Sequence, residues 1–318
     1  MKAIILAAGT GTRVLPLTLH RPKPLFPIYT IPLLNLTITQ LREAGASDII
    51  INTHHLNQKI NSHLQKNSPT EVALTLSHEP HLLDTAGAIK NVEGFWDDQP
   101  FIVINGDIVS TIDINAAYQN HLKSGNLATL VLHHYPRYNN VEVDLKGTIV
   151  GIRDTRVKEP SSPTFKRAFT GIHIISPALL RDIPPNQNVD IIPVYLQAIA
   201  RGMKVRGYQV ENHYWRDIGT PEDYHLIHCD IHQNKLELNT GSHLLSSRAD
   251  SSSIGEGTTL DGYTCIGRNT TVGENCTVRN SIIWDEVEIK GNLTIEGCII
   301  GDGVQVTQSL KDKVVVTD

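Results

Sequence analysis

An α/β fold, a mostly parallel sheet covered by helices and followed by a short parallel β-helix, is what this 318-residue sequence predicts. Two periodicities carry the prediction. Short apolar runs alternate with helical stretches as far as about residue 232, and beyond residue 250 apolar residues recur at every sixth position. A third observation is the glycine turn, Gly9 and Gly11, that directly follows the first apolar run.

That first run occupies residues 3–6, and β-rich runs follow at 49–51, 72–76, 101–104, 128–132 and around 204–210. Helical stretches lie between the first four, near 33–43, 58–64 and 86–92, and another near 114–122 precedes the fifth. Strands alternating with helices argue for a parallel sheet covered on both faces, and nearly continuous apolar strands fit burial on both sides. Ligands of such sheets bind at the carboxyl ends of the strands, which is where the glycine turn falls.

The six-residue period is headed by Ile254, Leu260, Ile266, Val272 and Val278, then after a five-residue step by Ile283, Ile289 and Ile295, and after another by Ile300 and Val306. Three positions beyond heads stand Gly257, Asn269, Asn275, Asn292 and Gly303, residue types that tolerate a left-handed backbone turn. One position further come Thr258, Thr264, Thr270, Cys276 and Val287, small or branched side chains suited to a tight interior. This is the pattern of a hexapeptide-repeat parallel β-helix, and ten hexads at three per coil make about three coils. The stretch from Asn239 to Ser253 is rich in Ser, Gly and Asn and reads as a linker or an irregular first coil. The expected division is therefore 1–232, a linker at 233–253, and a β-helix over 254–318.

A net charge of −5, from 28 basic and 33 acidic residues, argues against nucleic acid as a partner, which needs a broad basic face. The apolar stretch after Met1 and Lys2 is about six residues long, too short for a signal-peptide core or a membrane span. Cys229, Cys265, Cys276 and Cys298 form no CxxC pair and no zinc spacing, and read as buried thiols in a reducing cytoplasm. The doublets His54-His55 and His133-His134 lack a matching ligand cluster.

Chemistry concentrates in the first turn. Glycines at positions 9 and 11 let the backbone bend and bring its N–H groups against an anion, while Arg13 and Lys23 add positive charge with no acidic residue between them. Strand, glycine turn, arginine and lysine describe a cradle for a polyphosphate. The string from Leu6-Ala7-Ala8-Gly9-Thr10-Gly11-Thr12-Arg13, through Pro16, Leu17 and Thr18, to Pro22-Lys23-Pro24-Leu25 resembles the signature of the sugar-1-phosphate nucleotidyltransferases, the nucleotide-sugar pyrophosphorylases. The resemblance implies a Rossmann-like catalytic domain at 1–232 and a left-handed β-helix, and a reaction in which a nucleoside triphosphate and a sugar 1-phosphate give an NDP-sugar and pyrophosphate.

It also implies site residues. Leu6, Ala8, Gly9, Thr10, Gly11 and Thr12 would bind the nucleotide, and Arg13 and Lys23 would be the catalytic cations. Asp107, in Asn105-Gly106-Asp107, and Asp217, in Trp215-Arg216-Asp217-Ile218-Gly219, correspond to the family's Mg²⁺ ligands. Hard Mg²⁺ is usually held by one or two carboxylates together with substrate phosphates. Residues 79–87 resemble the loop that accepts base and ribose, with Glu79, Thr85 and Gly87 as contacts and Asp84 in place of the family's glycine. Read from the residues alone, this stretch is a helix start capped by Asp84 or Thr85.

For the sugar phosphate the resemblance implies Asn105, Gly106, Lys158 and Gly171, with Lys166 second to Lys158. Lys158-Glu159-Pro160 has the first two residues of the family's Glu-Lys-Pro exchanged. Phe169-Thr170-Gly171-Ile172, His55-Leu56 and Leu83-Asp84-Thr85 resemble the uridylyltransferases acting on N-acetylmuramate 1-phosphate, whereas a trailing β-helix resembles the mannose-1-phosphate guanylyltransferases. The second pairing, GTP with mannose 1-phosphate, leads; uridylyl transfer to N-acetylmuramate or another amino-sugar 1-phosphate is the alternative. A non-catalytic nucleotide-sugar-binding regulatory paralogue is an alternative of another class. No histidine occurs within 251–318, and His243 precedes the repeat, so the β-helix is expected to serve assembly, as a homo-oligomer, or effector binding rather than acyl transfer.

Overall fold

In the computed structural model, residues 1–67, 71–160, 162–238 and 246–317 are described; His243 and residues 239–245 of the expected linker lie outside them. The strands of the first unit are β1 (Lys2–Leu6), β2 (Asp48–Thr53), β3 (Ala73–His78), β4 (Phe101–Asn105), β5 (Ala128–His133), β6 (Asn139–Asp144), β7 (Ile149–Ile152), β8 (Thr164–Ile175) and β9 (Val205–Gln209). They join with a short edge strand at Thr155–Arg156 in one ten-stranded sheet. The helices are α1 (Leu33–Glu43), α2 (Asn57–Asn67), α3 (Asp84–Asn91), α4 (Ile114–Ser124), α5 (Ile191–Ala200) and α6 (Pro221–His232).

Strand β1 lies between β2 and β4, both parallel to it, and its register sets Leu6 beside Asn52 and Asn105. Three residues at or next to the carboxyl ends of their strands thus line up along that edge of the sheet. Successive residues of β1 enter opposite cores, as period-two side-chain geometry requires. Ile4 packs with Ala86 and Ile89 of α3 and Ile191 and Tyr195 of α5. Ile5 packs with Leu34 and Ile38 of α1, Ile60 of α2 and Ile114 of α4. Both faces are covered, as the apolar runs foretell. Strand β3, at the end of the sheet with β2 as its one neighbour, departs from this: Ala73, Thr75 and His78 are exposed and Leu74, Leu76 and Ser77 only half-buried.

A larger departure is the antiparallel half of the sheet. No strand was expected between 133 and 203, yet β6, β7 and the twelve-residue β8 stand there. Strand β8 runs antiparallel to β4, β5 and β6, leaving β6 at Ala168 and joining β4 at Ile172. Gly171 makes the switch at φ +77, where a Cβ would stand 2.7 Å from the Asn105 amide nitrogen and 2.8 Å from Ile108 Cδ1. The alternation Val141-Glu142-Val143, with both valines buried, is the local trace of β6.

The helix at 84 also differs in its start. Asp84 is its first residue, preceded by Leu83 with no side-chain cap; the Asp84 carboxylate accepts from the N–H of Thr85 at 2.6 Å. Asp84 sits at φ +57, the left-handed region a glycine would occupy without strain.

After α6 the chain forms three four-stranded parallel sheets, consistent with a left-handed β-helix. Ile254, Val272, Ile289 and Val306 stack in one, Leu260, Val278, Ile295 and Leu310 in the second, and Ile266, Ile283, Ile300 and Val315 in the third. The stack is longer than ten hexads foretell, because Leu310 and Val315 head strands of a further coil after shortened steps. Gly257, Asn269, Asn275, Asn292 and Gly303 all have positive φ. Thr264, Thr270, Cys276 and Val287 are buried, and Thr258 is half-buried with its hydroxyl donating to the Gly273 carbonyl. Of the thiols, Cys265, Cys276 and Cys298 are buried and Cys229 only partly so.

Candidate active site

Two clefts meet at the carboxyl edge of β1 and β4. The first, about 360 Å³, is lined by the turn from Leu6 to Gly11, by Lys23, by Asn52 and Glu79, and by Thr85, Asn105, Gly106 and Asp107. The second, about 350 Å³, is lined by Arg13, Asn105, Asp107, Gly171 and Asp217 together with Tyr138, Asn140, Arg153 and Trp215. Asn105 and Asp107 border both.

The turn is built by a few specific constraints. Gly11 has φ +67, and a Cβ there would stand 2.6 Å from Thr18 Cγ2; the Thr18 hydroxyl donates to the Gly11 carbonyl at 3.0 Å. A Cβ at Gly9 would meet nothing within 4 Å, so this residue leaves its side of the cleft open to a close-approaching group. The Ala7 N–H donates to Asn52 Oδ1 at 2.6 Å, and Asn52 Nδ2 donates to Glu79 Oε1 at 2.8 Å. Glu79 Oε2 accepts from the Leu83 N–H at 3.2 Å. Glu79, 1% exposed, therefore lines the cleft with both oxygens engaged by the protein.

Charge is arranged along the shared wall. Lys23 Nζ is 3.2 Å from Asp107 Oδ2, and the lysine side chain is only 10% exposed. A short ribbon pairs Ile108–Ser110 with Trp215–Asp217, setting Asp217 opposite Ile108, and the Ile218 N–H donates to the Asp107 carbonyl. The ribbon is what brings the two aspartates together across the chain. Burial first, then the charges of Asp107 and Asp223, push the Asp217 carboxyl above its ordinary range; Arg13 pulls the other way. A Cβ at Gly219 would lie 2.9 Å from Asp217 Oδ2 and 3.3 Å from Arg13 Nη1, so the arginine reaches this cluster. Two oxygen-donor carboxylates whose mutual repulsion a cation would relieve fit a hard divalent metal.

Other expected residues fall differently. Thr12 and Gly87 line neither cleft. Gly87 is packed inside α3, where a Cβ would stand 2.3 Å from the Gln187 carbonyl. Lys158 is exposed and also lines neither; the cations on the second cleft are Arg13 and Arg153. Lys166 pairs with Asp154 on the surface. Asn52, Asn140, Arg153, Tyr138 and Asn188 border the clefts without having been singled out in the sequence. Only Asn52 had a readable signal: an amide directly after the apolar run 49–51.

Residues 2–234 match the family described as Nucleotidyl transferase, and residues 246–317 match the GMPPB C-terminal domain. The mannose-1-phosphate guanylyltransferase of Mycobacterium tuberculosis is 28% identical over 304 residues, covering 92% of this chain and 82% of its own. The N-acetylmuramate alpha-1-phosphate uridylyltransferase of Neisseria meningitidis serogroup B is 33% identical over 221 residues, covering 69% of this chain and 94% of its own. HddC from Yersinia pseudotuberculosis, in its crystal structure complexed with GMP-PN, is similar with a TM-score of 0.59 at 25% identity, over 71% of this chain and 97% of HddC.

Proposed function

The chain belongs to the nucleotidyl transferase family, and we propose that it transfers GMP from GTP to mannose 1-phosphate with Mg²⁺, releasing pyrophosphate. It is a sugar-1-phosphate nucleotidyltransferase; the base, the sugar and the residue roles are the proposed part. The reading rests above all on the wall shared by the two clefts, where Asp107 borders both and Lys23 and Asp217 approach it from far-apart segments.

In this reading the first cleft takes the nucleotide. The main chain of Ala8 to Gly11 faces the phosphates, and the open side of Gly9 lets them come close. Lys23 and Arg13 offset the charge that builds on the α-phosphoryl group. The second cleft takes the sugar 1-phosphate, with Arg13 and Arg153 as its cations, and Gly171 and Asn105 against the sugar. An oxygen of the sugar's phosphate forms a bond to the α-phosphorus while the bond to the β-phosphate oxygen breaks, and that oxygen leaves with pyrophosphate. The nucleophile is already an anion, so no side chain has to take a proton; the protein's part is positioning and charge. Asp107 and Asp217 would hold the Mg²⁺, which when bound draws charge from the phosphate oxygens.

Architecture supports GTP with mannose 1-phosphate: the Mycobacterium tuberculosis relative, similar over 92% of this chain, is a mannose-1-phosphate guanylyltransferase, and both units of the chain are matched. A second reading, uridylyl transfer to N-acetylmuramate 1-phosphate, is favoured by Phe169, Thr170 and Gly171 on the second cleft and by the 33% identical relative. The reading includes a cytoplasmic location, which suits the unpaired thiols, and self-association through the β-helix or the catalytic unit.

The test is pyrophosphate release across five nucleoside triphosphates crossed with mannose, glucose, N-acetylglucosamine, N-acetylmuramate and heptose 1-phosphates, with and without Mg²⁺. The highest kcat/KM is expected for GTP with mannose 1-phosphate. UTP with N-acetylmuramate 1-phosphate in first place would install the second reading instead. Turnover that persists in EDTA would remove the metal.

A further inference from the structure

The segment carrying Lys23 is pinned from both sides by the β-helix. On one side Arg21 forks onto Asp302, with Nε 2.9 Å from Oδ2 and Nη2 2.6 Å from Oδ1, while Nη2 also reaches Asp285 Oδ2 at 2.9 Å. Its guanidinium carbon lies 4.9 Å from the ring centroid of Trp284, and its side chain is 14% exposed. On the other side Phe26 meets the same Trp284 edge-on at 4.8 Å. The Trp284 indole N–H donates to the Tyr224 hydroxyl at 3.3 Å, which donates to the Pro27 carbonyl at 2.5 Å.

The two carboxylates are placed by the coil period. Ile283 and Ile300 are partners in adjacent coils, so Asp285 and Asp302, each two residues on, stack one above the other. Asp302 Oδ1 accepts from the Asp285 N–H at 3.2 Å, and Asp285 Oδ1 from the Arg268 N–H at 2.8 Å. Each carboxylate is thus also held by a backbone N–H of the β-helix itself. Docking of the two units does not depend on this ion pair, because Phe26, Tyr224, Ile227, Ile282, Trp284 and Ile299 already form a buried apolar cluster between them. Partly buried ion pairs contribute little net stability, but a bidentate pair restricts geometry strongly.

We propose that Arg21 is a positioning residue, and that its ion pairs with Asp285 and Asp302 of the β-helix set the place of Lys23 at the shared wall of the clefts. The proposal rests on the reading of Lys23 as a catalytic cation. The β-helix then contributes to turnover without touching substrate, by fixing both ends of the six-residue segment from Arg21 to Phe26.

The test uses the full chain with Asp285→Asn, Asp302→Asn, their combination, and Arg21→Lys, which keeps the charge but loses the fork. Measured are kcat, both KM values, the thermal midpoint, and the same changes in a Lys23→Arg background. A displaced catalytic group is costly, so kcat is expected to fall about tenfold or more with KM changed less than about threefold. The fall should shrink in the Lys23→Arg background, because the lysine through which Arg21 acts is already altered. Unchanged kcat, or losses that multiply fully with that of Lys23→Arg, would overturn the proposal while leaving Lys23 its role. Unchanged kcat in Lys23→Ala would overturn the role of Lys23 and the positioning with it. Should the double asparagine variant unfold, Arg21→Lys decides by the same criteria.

Discussion

Lys23 Nζ stands 3.2 Å from Asp107 Oδ2, joining the first turn of the chain to the end of β4 across 84 residues. The ammonium and the carboxylate hold each other at the wall between the two clefts, the lysine side chain 10% and the aspartate side chain 28% exposed.

Removing either group should therefore act on the rate. Lys23→Ala and Asp107→Asn are each expected to lower kcat by about 10²–10³-fold, the usual cost of losing one preorganised charge in such a site. Steady-state pyrophosphate release at saturating Mg²⁺ measures it, and near-normal turnover in either variant would cancel its assigned role.

Gly171→Ala should separate the two substrates. The added methyl meets the Asn105 amide and Ile108, and the residue is held at φ +77, so the bulge between β6 and β4 must shift. A strained position of this kind costs about 1–3 kcal/mol. The KM for the sugar phosphate is expected to rise several-fold with the KM for nucleotide little changed. An equal rise in both would place Gly171 outside the sugar subsite.

Stability should fall as the solution is acidified from neutrality. Burial lowers the pKa of His173 and of His228 to about 3. His228 lies between the Pro27 carbonyl, to which Nε2 donates at 3.2 Å, and the Cys265 thiol, 3.1 Å from Nδ1. Below about pH 6.5 the unfolded chain takes up protons that the folded chain refuses, so stability present above that pH is lost as pH falls toward the folded value. Each such histidine costs about 1.4 kcal/mol per pH unit in that window. Urea unfolding at pH 7.5, 6.5 and 5.5 reads it; a midpoint that stays level down to pH 5.5 would contradict the buried, neutral state.

Much of the first cleft's lining was legible because it is local. The glycine turn, Arg13 and Lys23 lie within a single stretch, where backbone freedom and charge can be read from neighbours. Asp84 is legible in part: its substitution for glycine is visible, but that it takes the left-handed backbone is not. The second cleft was less legible. Gly171 needs its positive φ only because β8 changes partner there, and Arg153 reaches the second cleft while Lys158 does not because β7 ends beside it.

The amino-acid sequence by itself determined the periods of both units: apolar strands alternating with helices, then hexads whose Asn and Gly corners take the left-handed turn. These depend on side-chain direction and backbone sterics within a few residues. Tertiary structure alone decided the antiparallel half of the sheet, the meeting of Asp107 with Asp217 on the 108–110 ribbon, and the grip of Asp285 and Asp302 on Arg21. Each of these joins segments far apart in the chain. Their pairing is selected by the burial and charge complementarity of the folded whole, which no local pattern encodes.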